Sequence, residues 1–297
     1  TPGATQDLNV NIVNSDTEAH NYRVSVNRAA TNTNRVVDYA KRGIKAPASL
    51  QADVEAMTPK AFTVNVPAKT TKVVPIKLTV PTTRFSGLVL GGVRIAELDT
   101  TASSASSKSL TLNNKFAYVI GLSLQEDASY ANIAPDMVLH TVGTKQINYR
   151  NFISANLENT KPTIMHKLKI TAKVSNRGSS DAIFSTTKSS MAMAPNSAFA
   201  FPISTKNNPL KAGKYTLDLE AWASGGKYHW HFKKNFTITA ARAKKLNNSA
   251  VELKKTKPNY LLWILIGLAV LILLILLLIL FLLFKRRKKD DDEDEPK

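Results

Sequence analysis

The feature that most constrains this 297-residue chain is an apolar run near its C-terminus, residues 260–284. Most positions after Trp263 are Leu or Ile, and no charged residue interrupts the run. A helix over this run would reach about 37 Å at about 1.5 Å per residue, which exceeds a hydrocarbon core of roughly 30 Å. A buried helix of a soluble domain carries a polar face, and this run has none. The run therefore predicts a single transmembrane helix.

The residues on either side of the run predict its orientation. Tyr260 and Trp263 mark one end, where aromatic rings favour the headgroup level, and five consecutive basic residues, 285–289, follow the other end. This pattern predicts a single-pass protein of the cell membrane, with a cytoplasmic tail over 285–297 and everything before residue 260 outside the cell. Since an extracellular N-terminus needs a signal sequence, we expect one to have preceded Thr1.

Composition restricts both the architecture and the partners. The chain has no cysteine, so its domains must rest on hydrophobic cores rather than on disulfides or thiolate metal sites. The formal net charge is +18, and the predicted tail contributes nothing to it, because its basic and acidic residues cancel. Such a charge outside the cell predicts anionic neighbours such as teichoic acids and other wall polymers. Nucleic acid is the usual alternative partner of a basic protein, but the predicted location outside the cytoplasm argues against it.

Period-two alternation of apolar residues dominates the chain before residue 260. Leu8 to Ile12 and Tyr22 to Val26 read as strands joined into a hairpin, and the pair Gly91–Gly92 marks a central strand with a bulge or a close backbone approach. Further strands are predicted at 62–66, 74–80, 116–124, 138–151, 153–157, 168–174, 215–219 and 228–238, with 116–124 buried and the last two forming a hairpin. Such closely spaced strands with short turns predict an all-β fold of two immunoglobulin-like β-sandwich domains plus the transmembrane helix.

The predicted domain boundaries follow changes in pattern. Residues 1–126 form the first sandwich and residues 127–240 the second, because 125–136 carries no sustained alternation. Residues 241–259 are rich in Ala, Lys and Asn and are predicted to be a stalk. A serine-rich loop is expected at 99–109.

Few residues in the sequence indicate a metal-binding or partner-binding site. His229 and His231 alternate on the last strand and can share a metal, but no third ligand stands at a suitable spacing, so we expect neither metal nor cofactor. Trp230 shares the parity of the core residues, whereas Trp222 lies off that pattern and is the candidate partner-binding aromatic.

No nucleophile elbow, phosphate-binding loop or metalloprotease helix occurs in the sequence, so no catalytic residue is assigned and the chain is not expected to be an enzyme. Two acidic pairs, Glu97 with Asp99 and Asp218 with Glu220, keep a wall-polymer hydrolase as an alternative. A passive basic spacer at the wall is the other alternative.

Several runs resemble a known family. In the first half these are Phe85-Ser-Gly-Leu-Val-Leu-Gly-Gly-Val93, Asn113-Asn-Lys-Phe-Ala-Tyr-Val-Ile-Gly121, and Val26-Asn27 with Val37-Asp-Tyr39. In the second half they are Asn148-Tyr-Arg-Asn151, Ala155-Asn-Leu157, Met193-Ala-Pro-Asn-Ser197 and Leu210-Lys-Ala-Gly-Lys-Tyr-Thr-Leu217. Together they are similar to the WxL-interacting proteins, which are surface proteins of Gram-positive bacteria.

The resemblance implies a peptidoglycan-binding domain over 1–126 and a host-binding or partner-binding domain over 127–240. It further implies a membrane-anchored, non-enzymatic adaptor whose partners are peptidoglycan, secreted WxL-domain proteins and host matrix proteins. The family's first domain usually begins with one or two strands before the stretch at Pro2-Gly3. We therefore expect a sheet here with an unpaired edge.

Overall fold

A computed structural model describes residues 1–98, 116–127, 131–251, 253 and 260–291 of the chain. It divides into two compact units, Thr1–Leu253 and Lys254–Lys297. The predicted serine-rich loop at 99–109 lies outside the described residues, as do Asp99, the family-like run Asn113–Lys115 and the tail residues 292–297.

Eight strands occupy the described part of the first half. They are β1 (Thr5–Asn14), β2 (His20–Arg28), β3 (Ala30–Thr31), β4 (Val37–Asp38), β5 (Phe62–Val66), β6 (Thr70–Thr79), β7 (Val89–Leu98) and β8 (Ala117–Leu124). A two-stranded sheet, β1-β6, lies over a four-stranded sheet in the order β5-β2-β7-β8, and β3 pairs with β4. The hairpin predicted between Leu8–Ile12 and Tyr22–Val26 is therefore wrong, because β1 pairs with β6 and β2 pairs with β5 and β7.

The core of the first half lies between these two sheets. Alternate residues of β1, β2, β5, β6 and β7 are buried in it, together with Val54 and Met57 from the connecting segment. The alternation that predicts the strands is thus the alternation that fills the core.

Strand β8 is exposed, which corrects the prediction of a buried strand at 116–124. Tyr118 is 70% exposed and Ile120 is 50% exposed, although both are apolar. Strands in a sheet lie about 4.8 Å apart, so a two-stranded sheet covers only about half the width of a four-stranded one. Within the described residues β1 pairs on one side only, as the expected unpaired edge requires.

The glycine pair Gly91–Gly92 sits in the central strand β7 and permits a close approach, as predicted. A Cβ at Gly91 would lie 2.8 Å from Val54, and one at Gly92 would lie 2.8 Å from both Tyr39 and Val119. The segment that follows β2 can therefore pack directly onto the sheet.

Seven strands form the second half. They are β9 (Met137–Ile147), β10 (Arg150–Asn159), β11 (Met165–Asn176), β12 (Ala182–Met193), β13 (Ser197–Ser204), β14 (Gly213–Ala223) and β15 (Tyr228–Ile238). The sheets run β13-β10-β9 and β12-β11-β14-β15. The predicted closing hairpin is confirmed, because β14 and β15 pair along their whole length. The sequence analysis missed β12, which carries few alternating large apolar residues, and it also missed β13, in which Phe199, Phe201 and Ile203 alternate and are buried.

A short helix, α1 (Ala240–Ser249), follows the last strand. Thr239 caps it by accepting a hydrogen bond from the Arg242 amide, and Ala243 and Leu246 are buried against the second core. Residues three apart share one helix face, which explains this packing. The beginning of the segment predicted as a stalk is thus helical and packed onto the strands.

The second unit contains α2 (Tyr260–Asp291). Across the described residues, no helix combines the length and apolarity that crossing a membrane requires. This finding overturns the transmembrane helix predicted over 260–284. The membrane partner and the single-pass anchoring that were predicted from that helix are not supported.

The fold class is corrected accordingly. The described chain is mostly β-sheet with two α-helices, rather than all-β with a transmembrane helix. The immunoglobulin-like character of the two halves stays a prediction.

The close approach at β7 is testable with two glycines that face each other across neighbouring strands. We expect Gly92→Ala to lower the free energy of unfolding by about 1–3 kcal/mol, because the new methyl group overpacks against Tyr39 and Val119. Its cross-strand partner Gly121 has no atom within 4 Å of the corresponding position, so Gly121→Ala should be neutral or stabilising by about 0.5–1 kcal/mol. Urea unfolding of both variants measures the difference. Equal losses would contradict the proposed packing.

Candidate functional site

Two of the family-like runs meet at a joint between the two halves of the first unit. Gly87 adopts a left-handed φ of +79°, and a Cβ there would lie 2.6 Å from the carbonyl oxygen of Pro162. The Leu88 amide donates to that same carbonyl at 2.8 Å. The run around Phe85–Val93 therefore holds the halves together, and its glycine is required by close backbone contact.

The second run at the joint is Met193–Ser197. The hydroxyls of Thr31 and Ser197 lie 2.7 Å apart, and the Ala194 amide donates to the Thr31 hydroxyl at 3.1 Å. The Asn196 side-chain amide donates to the carbonyls of Ser49 and Thr160. These groups are buried or partly buried, so each hydrogen bond replaces a contact with water that the fold excludes.

A buried carboxylate completes the joint. Glu158 is 7% exposed and accepts from the Ser49 hydroxyl at 2.7 Å. Its second oxygen lies 2.5 Å from Nε2 of His140, which is half-exposed. Because a buried charge is costly without partners, this arrangement fixes the first half against the second.

Trp222, the aromatic predicted to bind a partner, lies half-buried on β14, on the side of its sheet away from the core. Its cross-strand neighbours are Lys169 on one side and His229 on the other. The His229 ring stacks on the indole with centroids 5.1 Å apart, and the Lys169 ammonium lies 5.4 Å from the ring centroid. The row therefore combines an aromatic surface with a cation and an imidazole ring.

The two histidines and two acids of this face form pairs instead of a metal site. His231 lies 3.0 Å from Asp218, and His229 lies 3.9 Å from Glu220. In the part of the chain that the structure describes, no three His, Cys, Asp or Glu side chains come together in a metal-binding cluster. Trp230 lies on the other side of β15 and is partly buried against the second core, as predicted.

A second surface, which the sequence analysis missed, lies on the outer side of the sheet in the first half. We call it the arginine pocket: a depression of about 470 Å³ whose lining includes Arg23, Ser25, Asn27, Arg42 and Arg94. Ser25 and Arg94 are cross-strand partners on β2 and β7, and Arg23 lies two residues before Ser25 on the same face. Alternation places these arginines on one face, but only strand pairing brings them together.

The loop after β4 forms the wall of the arginine pocket. Arg42 donates to the carbonyls of Val26 and Glu55, and both carboxylate oxygens of Glu55 accept backbone amides, from Arg28 and Gly43. The Asn27 side chain is buried and donates to the carbonyl of Tyr39 at 2.7 Å. Burial raises the pKa of Tyr39 above its ordinary value of 10.0, so this ring adds no charge near neutral pH.

Comparison with known protein families identifies the family to which this chain belongs. The WxL Interacting Protein peptidoglycan binding domain matches residues 1–97, and the WxL Interacting Protein host binding domain matches residues 107–248. The chain belongs to the WxL-interacting protein family. Both matched families are binding domains, and peptidoglycan binding indicates the cell surface.

The solved structures that are similar to this chain are only remotely so. A CupB2 chaperone of Pseudomonas aeruginosa is 10% identical, with a TM-score of 0.27 over 78% of this chain and 92% of that one. The Escherichia coli chaperone DraB is 12% identical, with a TM-score of 0.29 over 78% and 90%. Scores this low carry no argument. Comparison with curated proteins found no match.

The joint predicts a position-specific cost for adding a methyl group. Gly87 and Gly43 both have left-handed φ values, so substitution by Ala costs about 1–2 kcal/mol of backbone strain at either position. Only Gly87→Ala also forces the chain away from Pro162, since nothing lies within 4 Å of a Cβ at Gly43. We expect Gly87→Ala to lower the free energy of unfolding by about 1–3 kcal/mol more than Gly43→Ala does.

Equilibrium urea unfolding of the two variants, followed by tryptophan fluorescence, provides the measurement. If the two losses are equal, the close contact between Gly87 and Pro162 is not a source of stability.

Proposed function

We propose that this member of the WxL-interacting family is a non-enzymatic surface adaptor. Its first domain binds peptidoglycan and its second domain holds a protein partner at the wall. The observation that carries the proposal is the pair of matched binding domains, joined by buried contacts within one compact unit. A joint of this kind holds a wall-bound domain and a partner-bound domain at a fixed distance and orientation.

The partner we propose for the second domain is a secreted WxL-domain protein, as the family description suggests. Host matrix proteins are the second class of partner that a host-binding domain suggests. The Lys169, Trp222 and His229 row supplies the contact, because aromatic side chains with neighbouring cations are frequent centres of binding energy at interfaces. This assignment keeps Trp222 as the candidate partner-binding residue.

Two other functions remain to be distinguished. A hydrolase would need one of the acidic pairs free for proton transfer, yet Asp218 and Glu220 each face a histidine. A passive spacer would contact the wall only through its net charge of +18. The salt dependence of wall binding distinguishes the spacer from the adaptor, because charges are screened beyond about 10 Å at 0.1 M ionic strength.

The test is co-sedimentation of the full chain with peptidoglycan stripped of teichoic acid, at low and at high salt. We expect the chain to pellet in both, because shape and hydrogen bonds add to the charge attraction. Release of all bound protein at high salt would favour the passive spacer. Release of soluble sugar or peptide fragments from the pellet would favour the hydrolase.

The role of Trp222 is tested separately with a purified WxL-domain protein. We expect Trp222→Ala to raise the dissociation constant at least about tenfold, since removal of an aromatic anchor at an interface costs about 2 kcal/mol or more. Tyr149→Ala is the control, because Tyr149 is 67% exposed and belongs to a turn away from this row. An unchanged dissociation constant for Trp222→Ala would exclude the row as the contact, without bearing on wall binding.

A further inference from the structure

The arginine pocket presents more positive charge than its own surroundings neutralise. Arg23 is exposed and Arg94 is half-buried, and neither guanidinium has an ion-pair partner among the described residues. Asp53 is occupied by Arg28, and Glu55 is occupied by two backbone amides. Glu55 also lines the pocket, but both of its carboxylate oxygens are held by backbone amides, so an anion that enters meets the unpaired guanidinium groups of Arg23 and Arg94.

The guanidinium groups select for the shape of the anion as well as its charge. Arginine presents parallel N–H donors that match the two oxygens of a carboxylate or a phosphate. Two such side chains stand on adjacent, hydrogen-bonded strands, diagonal to one another across the pair. Sites on strands hold their side chains with more precision than sites on loops.

Asn27 adds a second requirement. Its side-chain oxygen is buried and has no hydrogen-bond partner in the described structure, while its amide group is held by Tyr39. An unmet buried acceptor favours a ligand that brings an N–H group and disfavours one that presents oxygens alone. Because this oxygen is shielded from solvent, the ligand reaches it only when a neighbouring side chain shifts.

We infer that the arginine pocket binds a carboxylate carried next to an amide N–H, the chemistry of an acylated amino acid in the stem peptides of peptidoglycan. This inference rests on the proposed wall-binding function and names the part of the polymer that is recognised. Teichoic acid phosphates share the negative charge, but their diester oxygens offer no donor to Asn27.

The experiment uses the full chain and three probes: stripped peptidoglycan, the same peptidoglycan with its carboxylates converted to amides, and soluble poly-glycerol phosphate as a competitor. Binding is measured by co-sedimentation at high salt. We expect the parent chain to bind native peptidoglycan at least about tenfold more tightly than the amidated form, and the competitor to have no effect.

Variants locate the site. We expect the double variant Arg23→Gln, Arg94→Gln to lose about tenfold or more in affinity for native peptidoglycan, and to bind the native and amidated forms alike. The matched control is Lys77→Gln, Arg177→Gln, which removes the same charge from exposed positions outside the pocket and should change affinity by less than about twofold. Arg23→Lys, Arg94→Lys keeps the charge without the paired donors and should fall between the two.

The outcomes separate the two proposals. If the glutamine variant keeps its unfolding midpoint and binds native peptidoglycan like the parent chain, the pocket is not the site, while wall binding stands. If poly-glycerol phosphate displaces the parent chain from peptidoglycan, the pocket recognises negative charge alone and the carboxylate assignment is wrong. If the parent chain does not pellet with any form, the proposed function fails before the pocket is tested.

Discussion

The structure depends on the buried joint between the two halves of the first unit. At this joint the hydroxyls of Thr31 and Ser197 meet, and the backbone at Gly87 lies directly against Pro162. Polar groups taken from water must all find partners, and here they find them across the joint. The halves therefore behave as one compact unit instead of two sandwiches on a flexible linker.

This constraint accounts for two of the family-like runs. Phe85–Val93 and Met193–Ser197 are the most recognisable stretches, and both are occupied by contacts between the halves. The surfaces that we propose for binding lie on the outer faces of the sheets, where the arginine pocket and the Trp222 row stand on paired strands. A rigid joint then sets the spacing of a wall contact relative to a partner contact.

Sequence reasoning succeeded where a local pattern has only one physical interpretation. Period-two alternation locates β1, β2, β14 and β15 because the side chains of a strand point to alternate faces. The pair Gly91–Gly92 indicates a close approach because only glycine lacks the atom that would clash. Strand pairing was harder to predict from the sequence. The predicted hairpin of β1 with β2 was wrong, because alternation shows which face of a strand is buried and not which strand is its neighbour.

The two candidate sites also differ in how much of each could be predicted from the sequence. Trp222 was predicted because it lies off the core pattern of the last strand, but its Lys169 and His229 neighbours come from register. The arginine pocket left no sequence signal, since Arg23, Arg42 and Arg94 are scattered among many basic residues.

The sequence by itself determined the family, the strand-rich character and the excess of positive charge, because each depends on residue identity or local periodicity. Only the tertiary structure decided which strands pair, that β8 is left uncovered and that α1 packs onto the second core. It also overturned the transmembrane helix predicted from the apolar run, among the residues it describes. Strand pairing, the exposure of β8 and the packing of α1 depend on contacts between residues distant along the chain, which no local pattern encodes.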